Sequence, residues 1–75
     1  MTASSGAGYR VWRLRKLHQS IDATLADEGG AGVELQFLLN GEVMYTRRLP
    51  SRALALEEAA SRRGELEREG WMPHW

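Results

Sequence analysis

The sequence predicts a small α+β domain in which a three-stranded antiparallel sheet packs against one C-terminal α-helix. Two stretches predict this fold class. Residues 33–49 alternate apolar and polar side chains on both sides of the turn dipeptide Asn40-Gly41, which is the pattern of a β-hairpin. Residues 52–69 follow almost at once and are rich in alanine, glutamate and arginine, a composition that favours a helix.

The hairpin turn leaves two registers open. A two-residue loop pairs Phe37 with Met44, whereas a three-residue loop with Gly41 in a left-handed bulge pairs Phe37 with Val43. A slip by one residue moves a whole set of side chains to the wrong face, so we expect the register that gathers the apolar residues, the bulged turn. That register places on one face Val33, Leu35, Phe37, Val43, Tyr45, Arg47 and Leu49.

The helix is expected to run from about Arg52 to Glu69, with Ser51 as its N-cap. Gly70 is a natural left-handed stop, and a Schellman motif there brings Trp71 back onto Leu66. At 100° per residue one side of the helix gathers a stripe of small and apolar side chains. The stripe contains Ala55, Leu56, Ala59, Ala60 and Leu66.

The N-terminal half allows more than one interpretation. Residues 21–25 alternate apolar and polar side chains, which favours a strand. The apolar spacing between positions 14 and 25 also fits a helix over residues 12–26, so that alternative stays open. We expect the strand, because a two-stranded hairpin and a helix bury too little surface by themselves. Residues 10–16 form either a fourth, short edge strand or an extended segment that crosses the sheet.

Length and composition predict one domain over residues 9–75, preceded by a disordered leader over residues 1–8. The chain contains no cysteine, so it has no disulfide and no thiolate metal site, and we expect a reducing, cytoplasmic location. No segment reaches the roughly 20 apolar residues of a membrane span. The formal net charge is zero, which argues against strong non-specific nucleic-acid binding.

No group of residues indicates catalysis. His18 and His74 have no metal-ligand partner at helical spacing, and no serine lies in a nucleophile elbow. The glycines at positions 29, 30 and 32 do not join a strand to a helix in the manner of a phosphate-binding loop. We therefore expect a protein that is not an enzyme and that has no cofactor and no metal site.

The aromatic tail, residues 71–75, is the first candidate surface. Trp12 and Trp71 are expected to fill a core that leucine and alanine cannot close. The candidate partner-binding residues are Trp71, Met72 and Trp75, and Trp75 either docks on the domain or is offered to a partner. The favoured function is accordingly a small non-enzymatic binding module for protein–protein interaction or self-association.

The polar side of the sheet is the second candidate surface, and it predicts binding of double-stranded DNA as the alternative function. The candidate nucleic-acid-binding residues are Gln36, Thr46, Arg47, Arg48 and Arg52, with Arg13 and Arg15 nearby.

Three segments of the sequence resemble known small domains. They are the hairpin turn Asn40-Gly41, the strand over residues 42–48 and the helix opening over residues 51–56. The region 20–70 is similar to short uncharacterised bacterial proteins of strand–strand–strand–helix layout. It distantly resembles the arm-type DNA-binding domain of tyrosine integrases and the plant ethylene-response domain. The resemblance implies that Gln36, Thr46, Arg47 and Arg48 lie where the sheet of those domains contacts bases and phosphates.

Overall fold

The computed structural model describes residues 9–27 and 32–73 of the chain. It shows an α+β domain with an antiparallel sheet and one helix, as predicted. The sheet has five strands in the order β4-β3-β2-β1-β5, so the predicted number of three is wrong. The elements are β1 (Tyr9–Lys16), β2 (Gln19–Asp27), β3 (Val33–Leu39), β4 (Glu42–Leu49), α1 (Arg52–Arg68) and β5 (Met72–Pro73).

The two additional strands lie at one side of the sheet. Residues 10–16 belong to β1, which pairs along its length with β2. Trp12 and Leu14 are buried whereas Arg13 and Arg15 are not, and this period of two is that of a strand. Residues 21–25 lie within β2, so the strand interpretation of this segment is confirmed. β5 adds two residues on the outer side of β1, so β1 is an inner strand there and not the edge that we predicted.

The β3–β4 hairpin begins in the two-residue register, with Leu38 opposite Val43, and leaves it at Phe37. Asn40 and Gly41 both have positive φ, 53° and 89°, which is the signature of a two-residue type I′ turn. The register then shifts inside the hairpin, so that Phe37 lies opposite Tyr45 and Met44 is the extra residue. The expected bulge at the turn is wrong because the turn that matches the strand twist is the I′ form. The bulge within β4 then restores the apolar pairing of Phe37.

The helix covers one face of the sheet, and the apolar core lies between them. Ala55, Ala59 and Leu66 face the sheet, whereas Leu56 and Ala60 are exposed, which corrects their predicted place in the stripe. The small alanine side chains let the helix lie close to the sheet. The buried part of the helix is a narrow strip formed by these three residues. The core consists of Trp12, Leu14, Ile21, Ala23, Leu25, Val33, Leu35, Phe37, Leu49, Ala55, Ala59, Leu66 and Trp71.

The helix ends form as the sequence predicts. Ser51 is the N-cap, and its hydroxyl accepts a hydrogen bond from the Leu54 N–H at 3.2 Å. After the helix, Gly70 has φ 102°, and the Trp71 N–H donates to the Leu66 carbonyl at 3.1 Å. The Gly70 N–H donates to the Glu67 carbonyl, which completes a Schellman motif. Trp71 is thereby turned into the core and leads the chain into β5.

Candidate functional site

Two surfaces of the sheet are left uncovered by the helix. The first, which we call the β4 edge, is the outward side of strand β4 over residues 42–48. The second, which we call the open face, is the side of the sheet that points away from the helix. Among the described residues no polar or charged residue is buried.

The β4 edge is exposed along almost the whole strand. Within the part of the chain that the structure describes, β4 pairs with β3 alone and is the outermost strand. Residues 42–48 are all exposed, and three consecutive apolar residues among them, Val43, Met44 and Tyr45, are 52%, 43% and 38% exposed. An outermost strand presents main-chain N–H and C=O groups that no neighbouring strand satisfies. The β4 edge therefore combines unsatisfied backbone groups with apolar side chains.

One flank of the helix continues this surface out of the plane of the sheet. A guanidinium nitrogen of Arg47 lies 3.0 Å from a carboxylate oxygen of Glu58, which ties β4 to the helix. Leu54 stands four residues before Glu58 and so lies on the same flank, where it is 44% exposed. Arg62 lies over the Tyr45 ring at 6.0 Å from the centroid. An apolar side chain and a cation therefore border the β4 edge on the helix side.

The open face carries more positive than negative side chains. The cross-strand register puts Arg10, Thr24, Gln36 and Thr46 in one row across β1 to β4. Among the residues that the structure describes, four arginines share this face with two carboxylates. The charged side chains of the open face are Arg10, Arg13, Arg15, Asp22, Glu34 and Arg48.

Both carboxylates of the open face lie close to an arginine. Arg13 donates to the two oxygens of Asp22 at 2.6 and 3.0 Å, and this hydrogen bonding raises the pKa of Arg13, so the guanidinium stays charged. Glu34 lies opposite Arg48 in the register. Arg10 and Arg15 are left as an excess of positive charge, and both are exposed.

The structure divides the five nucleic-acid candidates between the two sides of the sheet. Gln36, Thr46 and Arg48 lie on the open face. Arg47 lies on the helix side with Glu58. Arg52 donates to the Tyr9 hydroxyl at 2.8 Å and its guanidinium lies over the Tyr9 ring. The five residues do not form one surface, because successive residues of β4 point to opposite sides of the sheet and Arg52 lies at the start of the helix.

The aromatic tail is also divided. Trp71 is buried in the core, so it is not accessible to a partner. Met72 is exposed and pairs through its backbone with Arg15 of β1. Trp75 lies outside the described residues.

Over the described ranges, the structure shows no pocket and no cluster of three or more potential metal ligands. The one helix found there is too short and too polar to cross a membrane. The chain matches no protein-family model, no curated protein and no solved structure. The resemblance to integrase-type DNA-binding domains stays a prediction.

Sequence reasoning missed the β4 edge and Arg10. The signal for the edge is the run Val43-Met44-Tyr45. A strand with one face in water normally alternates apolar and polar residues, so three consecutive apolar residues depart from that pattern. The signal for Arg10 is hidden by the bulge at Val11, which places Arg10 on the same face as Arg13 despite their odd spacing.

Proposed function

We propose that this protein is a non-enzymatic binding module that takes up an extended polypeptide strand along the β4 edge. The observation that carries the proposal is the exposure of β4 over residues 42–48 in an outermost strand. In strand addition the main-chain hydrogen bonds supply affinity, and side chains at alternate positions supply specificity. The β4 edge offers both kinds of contact.

The charges of β4 define the chemistry of the strand that fits it. Glu42 stands at the beginning of the exposed stretch, and Arg47 and Arg48 stand at its end. An antiparallel partner strand therefore needs an acidic residue at its beginning, apolar residues in the middle and a basic residue at its end. A partner with the opposite charge order places like charges together, and such a pairing is disfavoured.

The size of the β4 edge predicts a weak complex. Seven strand residues extend over about 23 Å, and an interface formed by one strand and the helix flank falls below the roughly 1,200 Å² of a standard interface. Interfaces of that size are typical of transient complexes. We therefore expect dissociation constants in a range of about 10–100 μM, equivalent to roughly 5.5–7 kcal/mol.

The proposal is tested with a synthetic seven-residue peptide that begins with glutamate, alternates valine and threonine, and ends with lysine. We expect saturable binding by fluorescence anisotropy and slower amide hydrogen exchange in β4, with no change in the central strand β2. The control peptide has proline at the central position, which removes a main-chain donor. Equal binding of both peptides, or no protection of β4, would contradict strand addition.

The open face supports a second candidate function, binding to the backbone of double-stranded DNA. The supporting observation is the excess of arginine on this face, with threonine and glutamine side chains in the same row. Such side chains contact phosphate and sugar oxygens. Five strands at about 4.8 Å spacing are wider than the major groove of about 12 Å. The whole face therefore fits the outside of a duplex and does not read bases in the groove.

This second function predicts strong salt dependence. We expect affinity for a 20-base-pair duplex to fall about 10- to 100-fold between 50 and 200 mM salt if two to four phosphates are neutralised. The double replacement Arg10→Ala/Arg15→Ala should abolish most of the binding. The matched control, Arg63→Ala/Arg68→Ala, changes the net charge equally on the helix and should bind as the wild type does. Absence of binding at 50 mM salt in fluorescence anisotropy would refute this function.

A further inference from the structure

We infer that the strand taken up at the β4 edge is β4 of a second copy of this chain, so that two chains pair antiparallel through their β4 edges. This inference rests on the proposed function and adds the identity of the partner. The joined structure is a continuous sheet of ten strands with a two-fold axis between the two β4 strands.

The charge order of β4 is complementary to itself. Antiparallel pairing centred on Met44 and Tyr45 places Glu42 of each chain beside Arg47 and Arg48 of the other. Each charged end lies about 10 Å from the centre, since a strand rises about 3.3 Å per residue. The two-fold axis makes the same favourable contact twice. Parallel pairing sets like charges side by side, so the charges determine the direction of pairing.

The apolar residues of β4 lie at the centre of this pairing. Met44 of one chain lies opposite Tyr45 of the other, and Val43 lies opposite Thr46. The exposed apolar residues Val43, Met44 and Tyr45 therefore lose accessible surface as the edges join. A two-fold axis perpendicular to the sheet keeps both helices on the same side. Leu54, which has no place in the core of its own chain, then faces the second copy across the junction. The pairing thus accounts for the exposed apolar residues on both the strand and the helix flank.

The pairing also closes at two chains. A β4 edge that is joined to another β4 edge offers no further edge of that kind. The opposite side of the sheet ends in β5, which has only two residues. One of them, Pro73, has no N–H to donate. The expected product is therefore a closed dimer.

Reversal of charge tests the inference by sedimentation velocity between 5 and 500 μM protein. We expect wild type to pass from monomer to dimer over this range. Glu42→Arg alone and Arg48→Glu alone should each weaken the dimer on the order of tenfold or more, since two favourable contacts become repulsive. An equimolar mixture of the two variants should form a heterodimer, because each chain then supplies the charges that the other needs. The chain that carries both replacements should also dimerise.

The sedimentation experiment tests self-pairing, and the peptide experiment separately tests whether β4 binds a strand. A wild type that stays monomeric at 500 μM overturns self-pairing, while the peptide experiment still decides whether β4 accepts a strand. A dimer that both single variants retain, or that the mixture does not restore, also overturns it. Met44→Glu provides a second variant, and it should be monomeric at 500 μM whereas the helix control Ala60→Glu dimerises. Circular dichroism verifies that each variant is folded.

Discussion

Replacement of Phe37 by alanine is expected to lower the free energy of unfolding by about 3–5 kcal/mol. Phe37 is 0% exposed, and its ring centroid lies 6.0 Å from that of Trp12 and 5.0 Å from that of Tyr45. The cavity left by the missing ring lies between the sheet and the helix. A domain of this size has a total stability of only about 3–5 kcal/mol, so this single change should leave most of the protein unfolded at 25 °C.

The neighbouring residue provides the control for this prediction. Leu38 points to the open face and is only half-buried, so Leu38→Ala should cost no more than about 1 kcal/mol. Urea denaturation followed by tryptophan fluorescence measures both variants. If the two replacements had equal effects, the core would not lie on the Phe37 side of the sheet, and the packing of the helix described above would be wrong.

The sequence was sufficient to predict this core because its signals are local. The alternation through Val33, Leu35 and Phe37 sets which side of β3 is buried. The cap at Ser51 and the stop at Gly70 set the helix ends to within one residue. Each of these features depends on residues that are neighbours in the chain, which is why the fold class could be predicted without a relative.

The number of strands could not be predicted in the same way. β1 and β2 are joined at Leu17-His18, where Leu17 has φ 58°. Leucine rarely adopts this left-handed conformation, and neither residue is a typical turn former. The connection therefore carries no turn signal. β5 consists of two residues, and it becomes a strand only because the Schellman turn at Gly70 brings it beside β1.

The hairpin register depends on contacts from outside the hairpin. The Asn40 side chain accepts a hydrogen bond from the Ser20 N–H at 3.0 Å, and the Asn40 N–H donates to the Ser20 carbonyl at 2.8 Å. These bonds hold the turn against β2, and the bulge at Met44 lets Tyr45 stack on Phe37. The alternation of apolar and polar residues within positions 33–49 cannot reveal either contact.

The candidate site was hidden for the same reason. Whether Val43, Met44 and Tyr45 are buried by a neighbouring strand depends on where the chain goes after the helix. β5 pairs with β1 and not with β4, and this pairing joins residues that are distant in the chain. Leu54 carries no signal of its own in the sequence, and it is the Arg47–Glu58 ion pair that shows that its flank of the helix borders β4. A binding surface at a sheet edge therefore depends on which strands pair with each other, and a sequence motif does not reveal it.

Replacement of Gly32 by alanine is the second prediction of large effect, and it bears on the β4 edge. Gly32 has φ 99°, and a Cβ atom added there would lie 2.8 Å from the Leu49 carbonyl oxygen. The left-handed backbone costs about 1–2 kcal/mol for a residue with a side chain. Overpacking against a backbone atom adds roughly 1–3 kcal/mol. We expect a total loss of about 2–5 kcal/mol in the free energy of unfolding.

Gly41 offers a control that isolates the steric part of this loss. Its φ is 89°, but a Cβ atom added there meets nothing within 4 Å, so Gly41→Ala should cost only the backbone strain of about 1–2 kcal/mol. Urea denaturation compares the two variants. Leu49 ends β4 opposite Val33, so the clash at Gly32 should also speed hydrogen exchange at the end of β4, in the amides that bond to β3. If Gly32→Ala cost no more than Gly41→Ala, the end of β4 would be loose already, and the β4 edge would lack the rigidity that strand addition requires.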